Sequence, residues 1–132
     1  MQELELKVAE AYQNYFVGYQ NFWSILSISL TALFTWLFFL KSGFTYIEHL
    51  VINAYIFLHT YWLFGIALLA NAPDGWIMLL YFGSYIVMML AVFRGLTGKR
   101  WISVFLRLLG ANVIAISLFS VLLAGLIIWV VL

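Results

Sequence analysis

The chain has 132 residues, of which 67% are hydrophobic, 20% aromatic and only 8% charged. An ordinary soluble domain carries about 25% charged residues, so this composition excludes a soluble globular domain and a disordered chain. Six Lys and Arg against five Asp and Glu are too few and too scattered for a nucleic-acid-binding surface. A membrane-spanning helix needs about 20 apolar residues. We therefore expect an integral membrane protein with room for four spans.

The hydropathy pattern predicts an all-α membrane protein that forms a single domain over residues 1–132. In residues 1–21, apolar and aromatic residues recur at helical spacing, and charged and polar residues fill the other positions. This pattern is typical of an amphipathic interfacial helix. Pro73 and Gly75 favour a tight turn in the middle of the chain, and a basic loop covers residues 94–100. The four transmembrane helices are expected at about 22–40, 45–70, 76–93 and 102–132.

The distribution of Lys and Arg predicts the orientation in the membrane. Four spans place both termini and the turn at 71–75 on one side, which carries only Lys7. The opposite side has two basic loops, formed by Lys41, Arg94, Lys99 and Arg100. Because loops rich in Lys and Arg stay in the cytoplasm, we expect these loops inside and both termini outside.

The second predicted span carries most of the polar residues that hydrocarbon cannot solvate. At about 100° per residue, Glu48, Tyr55 and His59 form one narrow stripe, and His49, Asn53 and Thr60 form a second stripe beside it. Together they cover roughly 140° of the helix surface. Such a face is costly toward lipid, so we expect it to point into the bundle or toward another subunit.

Two interpretations of Glu48 are compatible with each other. Thr45 and Glu48 match the T-x-x-E pattern of a helix capping box. Alternatively, Glu48 pairs with Arg107, since both lie near the cytoplasmic ends of their predicted helices. One carboxylate oxygen can cap the helix while the other accepts from the guanidinium.

His59 is the best candidate for a functional residue because it lies near the middle of its span, where ionisable groups are rare. The alternative is a neutral imidazole bonded to a neighbouring helix. His49 lies near the cytoplasmic end, where a structural role is the simpler interpretation. The two histidines are ten residues apart and point about 80° apart, so they cannot both ligate one haem. We predict no metal site, no cofactor and no catalytic constellation.

Two stretches resemble the membrane portion of an uncharacterised bacterial family, a domain of unknown function whose members often carry an N-terminal zinc ribbon. They are residues 29–39 and 46–55, and the more specific is Tyr-x-Glu-His-Leu-Val-x-x-x-Tyr at 46–55. The resemblance would cover about residues 20–132. This chain has no cysteine and so departs from the members with the ribbon. The resemblance implies an inner-membrane protein but no activity or catalytic residues.

Three functions compete at this stage. The first is a non-catalytic accessory or assembly subunit of a larger inner-membrane complex, favoured by the short loops. The second is a small homo-oligomeric transporter or channel that uses Glu48 and His59. The third is a redox subunit associated with quinone or haem. The expected partners are the lipid bilayer and other membrane subunits or further copies of this chain, without nucleic acid.

Overall fold

A computed structural model describes residues 2–131, and the side chains at 2–4, 15, 16 and 131 lie outside that description. Over this range the chain is helical without strands, which confirms the predicted all-α class. The α-helices are α1 (Gln2–Ala11), α2 (Gln20–Phe38), α3 (Tyr46–Leu69), α4 (Asp74–Thr97) and α5 (Trp101–Val131). A π-helical segment (Tyr12–Val17) follows α1, and a short 3₁₀ turn (Leu40–Ser42) follows α2.

Helices α2 to α5 are each long and apolar enough to cross a membrane, as the sequence predicts. At 1.5 Å per residue, α2 is about 28 Å long and matches the hydrocarbon thickness. Helix α5 is about 46 Å long and continues through Gly110 as one helix. The excess length of α5 therefore has to be accommodated by tilt or by protrusion from the bilayer.

The ends of α3 and α4 follow from local chemistry. Thr45 begins α3 with a complete capping box, so that interpretation of Thr45 and Glu48 is confirmed. Pro73 precedes the first turn of α4, and Gly98 ends it with a left-handed φ of 62°. Because the left-handed cap forms at Gly98, α4 extends past Phe93, where the hydropathy pattern predicts its end.

The N-terminal segment is divided, whereas the sequence predicted one amphipathic helix over 1–21. The Gly18 amide donates to the carbonyl of Gln13 at 3.2 Å, five residues back, which is the π-helical bond. Tyr19 then leaves helical geometry before α2 begins. Ala11 is buried, and α1 packs against α5.

Helix α2 packs against α3 and α5, and α4 packs against α3 and α5. Helices α4 and α5 make the sparsest contact of the four neighbouring pairs. The apolar core consists of Phe39, Ile56, Met89, Phe93, Val104 and Leu108. Phe39, Phe93 and Val104 come from the ends of helices that meet at the basic loops, so the bundle is most tightly packed at that end.

Gly110 allows α2 and α5 to approach closely. A Cβ atom at this position would lie 2.7 Å from Cε1 of Phe38, closer than van der Waals contact permits. Gly125 lies on the same helix with open space around it. The small residue at 110 is therefore required by packing, as is common where transmembrane helices meet.

Gly110→Ala should destabilise the bundle by about 1–3 kcal/mol, the usual cost of overpacking. Gly125→Ala is the matched control and should be neutral or slightly stabilising, because alanine favours helix by about 1 kcal/mol over glycine. The measurement is the free energy of unfolding in mixed micelles titrated with a denaturing detergent. Equal effects of the two substitutions would contradict the close contact between α2 and α5.

Candidate functional site: the polar faces of helix α3

The polar residues of α3 face two different environments. His49, Asn53 and Thr60 are buried inside the bundle. Glu48 lies on the surface, Tyr55 is 53% exposed and His59 is partly exposed. The two stripes defined by helical periodicity are therefore separated: one points into this chain and the other points away from it.

The inward stripe forms a hydrogen-bond network with Thr35 of α2. The Asn53 amide donates from Nδ2 to Oγ1 of Thr35 at 3.0 Å and to the backbone carbonyl of His49 at 2.8 Å. His49 Nδ1 lies 3.3 Å from the same Thr35 oxygen. All three side chains are buried, so the network joins α2 to α3 within the hydrocarbon.

The number of available protons assigns the donors and acceptors in this network. The single hydroxyl proton of Thr35 goes to the carbonyl of Ala32 at 3.1 Å, so Oγ1 can only accept from the other two residues. His49 then carries its proton on Nδ1, and its Nε2 is an acceptor. Two buried atoms of the network have no hydrogen-bond partner, His49 Nε2 and Asn53 Oδ1. Both are acceptors that the surrounding side chains enclose.

On the outward stripe, Glu48 is engaged by the capping box. Its Oε2 accepts from the Thr45 amide at 2.7 Å and from the Thr45 hydroxyl at 2.9 Å. The Glu48 amide donates to Oγ1 of Thr45 at 3.3 Å. This carboxylate therefore stabilises the first turn of α3.

His59 points outward near the middle of α3. Its Nδ1 lies 2.9 Å from the carbonyl of Tyr55, and the two rings stack with centroids 4.0 Å apart. A carbonyl can only accept, so in the neutral imidazole Nδ1 is the protonated nitrogen, and Nε2 is left as an acceptor on a side chain that is partly exposed. His59 does not bond to a neighbouring helix within the part of the chain that the structure describes.

Arg107 has a different partner from the one predicted. Its Nη1 donates to the backbone carbonyl of Phe38 at 2.9 Å, and its guanidinium lies 5.7 Å from the ring centroid of Phe39. The expected ion pair with Glu48 is absent among the described residues. The reason is that each group already has a nearer partner: Phe38 presents a free carbonyl at the end of α2, and Thr45 holds Glu48.

The basic residues of the two loops lie at one end of the bundle, and two of them contact aromatic rings. Arg94 stacks over Trp101 at 4.1 Å, and Lys99 lies 5.9 Å from the ring centroid of Phe39. Lys41 and Arg100 are exposed at the same end. Cation–π contacts of this kind hold the charged groups at the bundle surface.

A cavity of about 400 Å³ lies in the bundle beside the network. Its uncharged polar lining includes Asn53 from α3, Tyr85 from α4 and Asn112 from α5. The Tyr85 hydroxyl donates to Oδ1 of Asn112 at 2.9 Å. Sequence reasoning did not select Tyr85 or Asn112, although an amide in the middle of an apolar helix is a signal that could have found Asn112.

A second, shallower groove of about 240 Å³ follows the outer face of α3. It is lined by Leu58, Tyr61, Trp62, Gly65, Ile66 and Leu69. This groove adjoins the exposed Tyr55 and His59. The outer face of α3 therefore combines a polar stripe with a concave apolar surface.

The polar groups of α3 take part in hydrogen bonding and packing. Among the described residues, no three His, Asp or Glu side chains come together as a metal site. His49 is buried while His59 faces outward, so the two imidazoles do not share a site. Among the described residues, Glu48, His59 and Arg107 do not line a common path through the bundle.

No family model matches the chain, and no curated protein or solved structure matches it either. The resemblance at residues 46–55 therefore stays a hypothesis. The case for function rests on the geometry of α3 and of the cavity.

Thr35→Val should destabilise the bundle by about 1–3 kcal/mol, because it leaves the buried donors of His49 and Asn53 without an acceptor. Thr60→Val is the matched control: Thr60 is equally buried, but its hydroxyl bonds only to the carbonyl of Ile56 in its own helix. Its expected effect is below about 1 kcal/mol. Detergent-titrated unfolding of both variants measures the difference, and equal losses would contradict the network.

Glu48 and Arg107 should show no energetic coupling, since they have separate partners. A double-mutant cycle of Glu48→Gln and Arg107→Met should give an interaction free energy within about 0.5 kcal/mol of zero. The Thr45→Ala and Glu48→Gln pair is the positive control, because loss of a cap costs about 0.5–2 kcal/mol. A coupling above about 1 kcal/mol between Glu48 and Arg107 would restore the ion pair that the sequence suggested.

Proposed function

We propose that this protein is a non-catalytic accessory or assembly subunit of a larger membrane complex, bound to its partner through the outer face of α3. The observation that carries the proposal is the outward position of His59. Counted along α3, His59 lies about 20 Å from one end of a helix about 36 Å long. Its Nε2 acceptor is thus presented at the depth where lipid offers no hydrogen-bond donor.

The surroundings of His59 support a protein partner over lipid. Tyr55 is exposed on the same stripe and stacks on the imidazole. The adjoining groove around Gly65 is concave and apolar, which suits a side chain from a second transmembrane helix. A partner helix with a hydroxyl, amide or indole donor would satisfy Nε2 and fill the groove together.

The connections between helices agree with this role. They cover residues 39–45, 70–73 and 98–100 and are too short to build a separate domain. The proposed setting is the bacterial inner membrane, with the basic loops in the cytoplasm and both termini outside, as the Lys and Arg distribution favours. The similarity to the uncharacterised inner-membrane family belongs to the same proposal.

The test is photo-crosslinking in native membranes from a photoreactive amino acid placed at Trp62, beside the groove. Val121 on α5 is the matched control, since the two positions are 68% and 67% exposed. Position 62 should give a discrete adduct with another membrane protein, while position 121 should give only lipid adducts. Mass spectrometry identifies the adducts.

Two results would overturn the proposal. Lipid adducts alone from both positions would mean that the outer face of α3 is an ordinary lipid-facing surface. An adduct of this chain with itself from position 62 would mean a homo-oligomer, which would favour the alternative of a small transporter or channel. In that case, flux through liposomes should fall when His59 is replaced by alanine.

A further inference from the structure

The cavity between the helices is open to the membrane on one side. Its wall includes residues from all four membrane helices, but the exposed lining residues all belong to α4 and α5. Phe82 and Ile86 of α4 face Phe105, Leu109 and Val113 of α5 across this side. Of the four neighbouring pairs of membrane helices, these two make the sparsest contact. The mouth of the cavity therefore lies between α4 and α5 and faces hydrocarbon.

The size and lining of the cavity suit an organic ligand better than water. About 400 Å³ lies within the roughly 300–1,000 Å³ of ligand pockets and far exceeds the small voids of a packed interior. Most of the lining is aliphatic and aromatic, so the cavity suits an apolar chain. A molecule that reaches this space comes from the bilayer itself.

The polar groups of the wall define the head group that the ligand carries. Asn53, Tyr85 and Asn112 are uncharged, and no Lys, Arg, Asp or Glu is among the lining residues. A charged head group would therefore lack a counter-ion. Asn53 is 4% exposed, and its Oδ1 has no hydrogen-bond partner. That oxygen is enclosed by the packed interior, so a ligand in the cavity has to bond to Tyr85 and Asn112 instead.

Tyr85 and Asn112 together can both accept and donate a hydrogen bond. Tyr85 uses its proton on Asn112, and the Asn112 amide donates to the carbonyl of Leu108 at 2.8 Å. One amide proton of Asn112 and the lone pairs of the Tyr85 oxygen are left for a ligand. A hydroxyl is the smallest neutral group that can donate to the Tyr85 oxygen and accept from the Asn112 amide.

We propose that this cavity is an intramembrane binding site for a neutral, single-chain lipid alcohol that enters between α4 and α5. Its chain lies along the apolar wall, and its hydroxyl bonds to the Tyr85 phenol oxygen and to the Asn112 amide. This site lies inside the bundle, away from the outer face of α3 where a partner subunit would bind. The two proposals can therefore fail separately.

The direct test uses the unmodified chain, purified and reconstituted in phosphatidylcholine vesicles, with a photoactivatable diazirine analogue of hexadecanol. The probe should label residues of α4 and α5 in a saturable way, and unlabelled hexadecanol should compete. The methyl ether of hexadecanol cannot donate a hydrogen bond, so it should compete about three- to tenfold more weakly. Hexadecane should compete no better than the ether.

Variants at the mouth of the cavity locate the site without touching the polar network. Ile86→Trp should remove saturable labelling because the indole occupies the mouth. Val87→Trp is the matched control: Val87 is the next residue and is exposed to lipid, but it does not line the cavity. It should leave labelling unchanged. Circular dichroism of both variants checks that the helices are intact.

Three results would overturn the inference. Equal competition by the alcohol, its ether and the alkane would show that the cavity accepts any hydrocarbon chain and does not recognise the hydroxyl. Equal labelling of the Ile86→Trp and Val87→Trp variants would place the probe outside the cavity. Stronger competition by a quinone of equal chain length would show that the site prefers a carbonyl ligand over a hydroxyl.

Discussion

Hydrocarbon cannot form hydrogen bonds, so every polar side chain on a membrane helix must find a partner in its own chain or in another molecule. Helix α3 meets this requirement in two ways for most of its polar atoms, while His49 Nε2 and Asn53 Oδ1 have no partner among the described residues. On the inward side, His49 and Asn53 converge on one hydroxyl of α2, the Oγ1 of Thr35. On the outward side, His59 uses only its own helix and presents its second nitrogen to the surroundings. The inward network holds the bundle together, and the outward stripe is where a second protein can contribute.

The arrangement of the other helices follows from this inward network. Because Thr35 ties α2 to α3, and Gly110 lets α5 approach α2 closely, three helices form the tight part of the bundle. Helix α4 is held mainly by α3 and contacts α5 sparsely. The cavity exists because of this asymmetry. A hydrogen bond between Tyr85 and Asn112 bridges α4 and α5 across it, which keeps the cavity lined by polar groups at mid-membrane depth.

Sequence periodicity predicted the membrane helices and the capping box at Thr45, since both depend on residues close together in the chain. It also grouped the polar residues of α3 into the right stripes. It could not tell which stripe points inward, because that depends on Thr35 of a different helix. Arg107 was assigned the wrong partner for a related reason: the carbonyl of Phe38 is a backbone atom at a helix end, and no side-chain pattern marks it. The cavity depends on the spacing between α4 and α5, which leaves no periodic signal.

The central claim is the orientation of α3, and the absence of cysteine from the chain makes it directly measurable. Single cysteines along α3 can carry nitroxide labels in reconstituted bilayers, and collision with dissolved oxygen reports exposure to lipid. The structure predicts high accessibility at Tyr55, Leu58 and Trp62 and low accessibility at Ile56 and Thr60. The opposite pattern of oxygen accessibility, with position 55 shielded and position 60 open to lipid, would contradict the assigned inward and outward faces of α3.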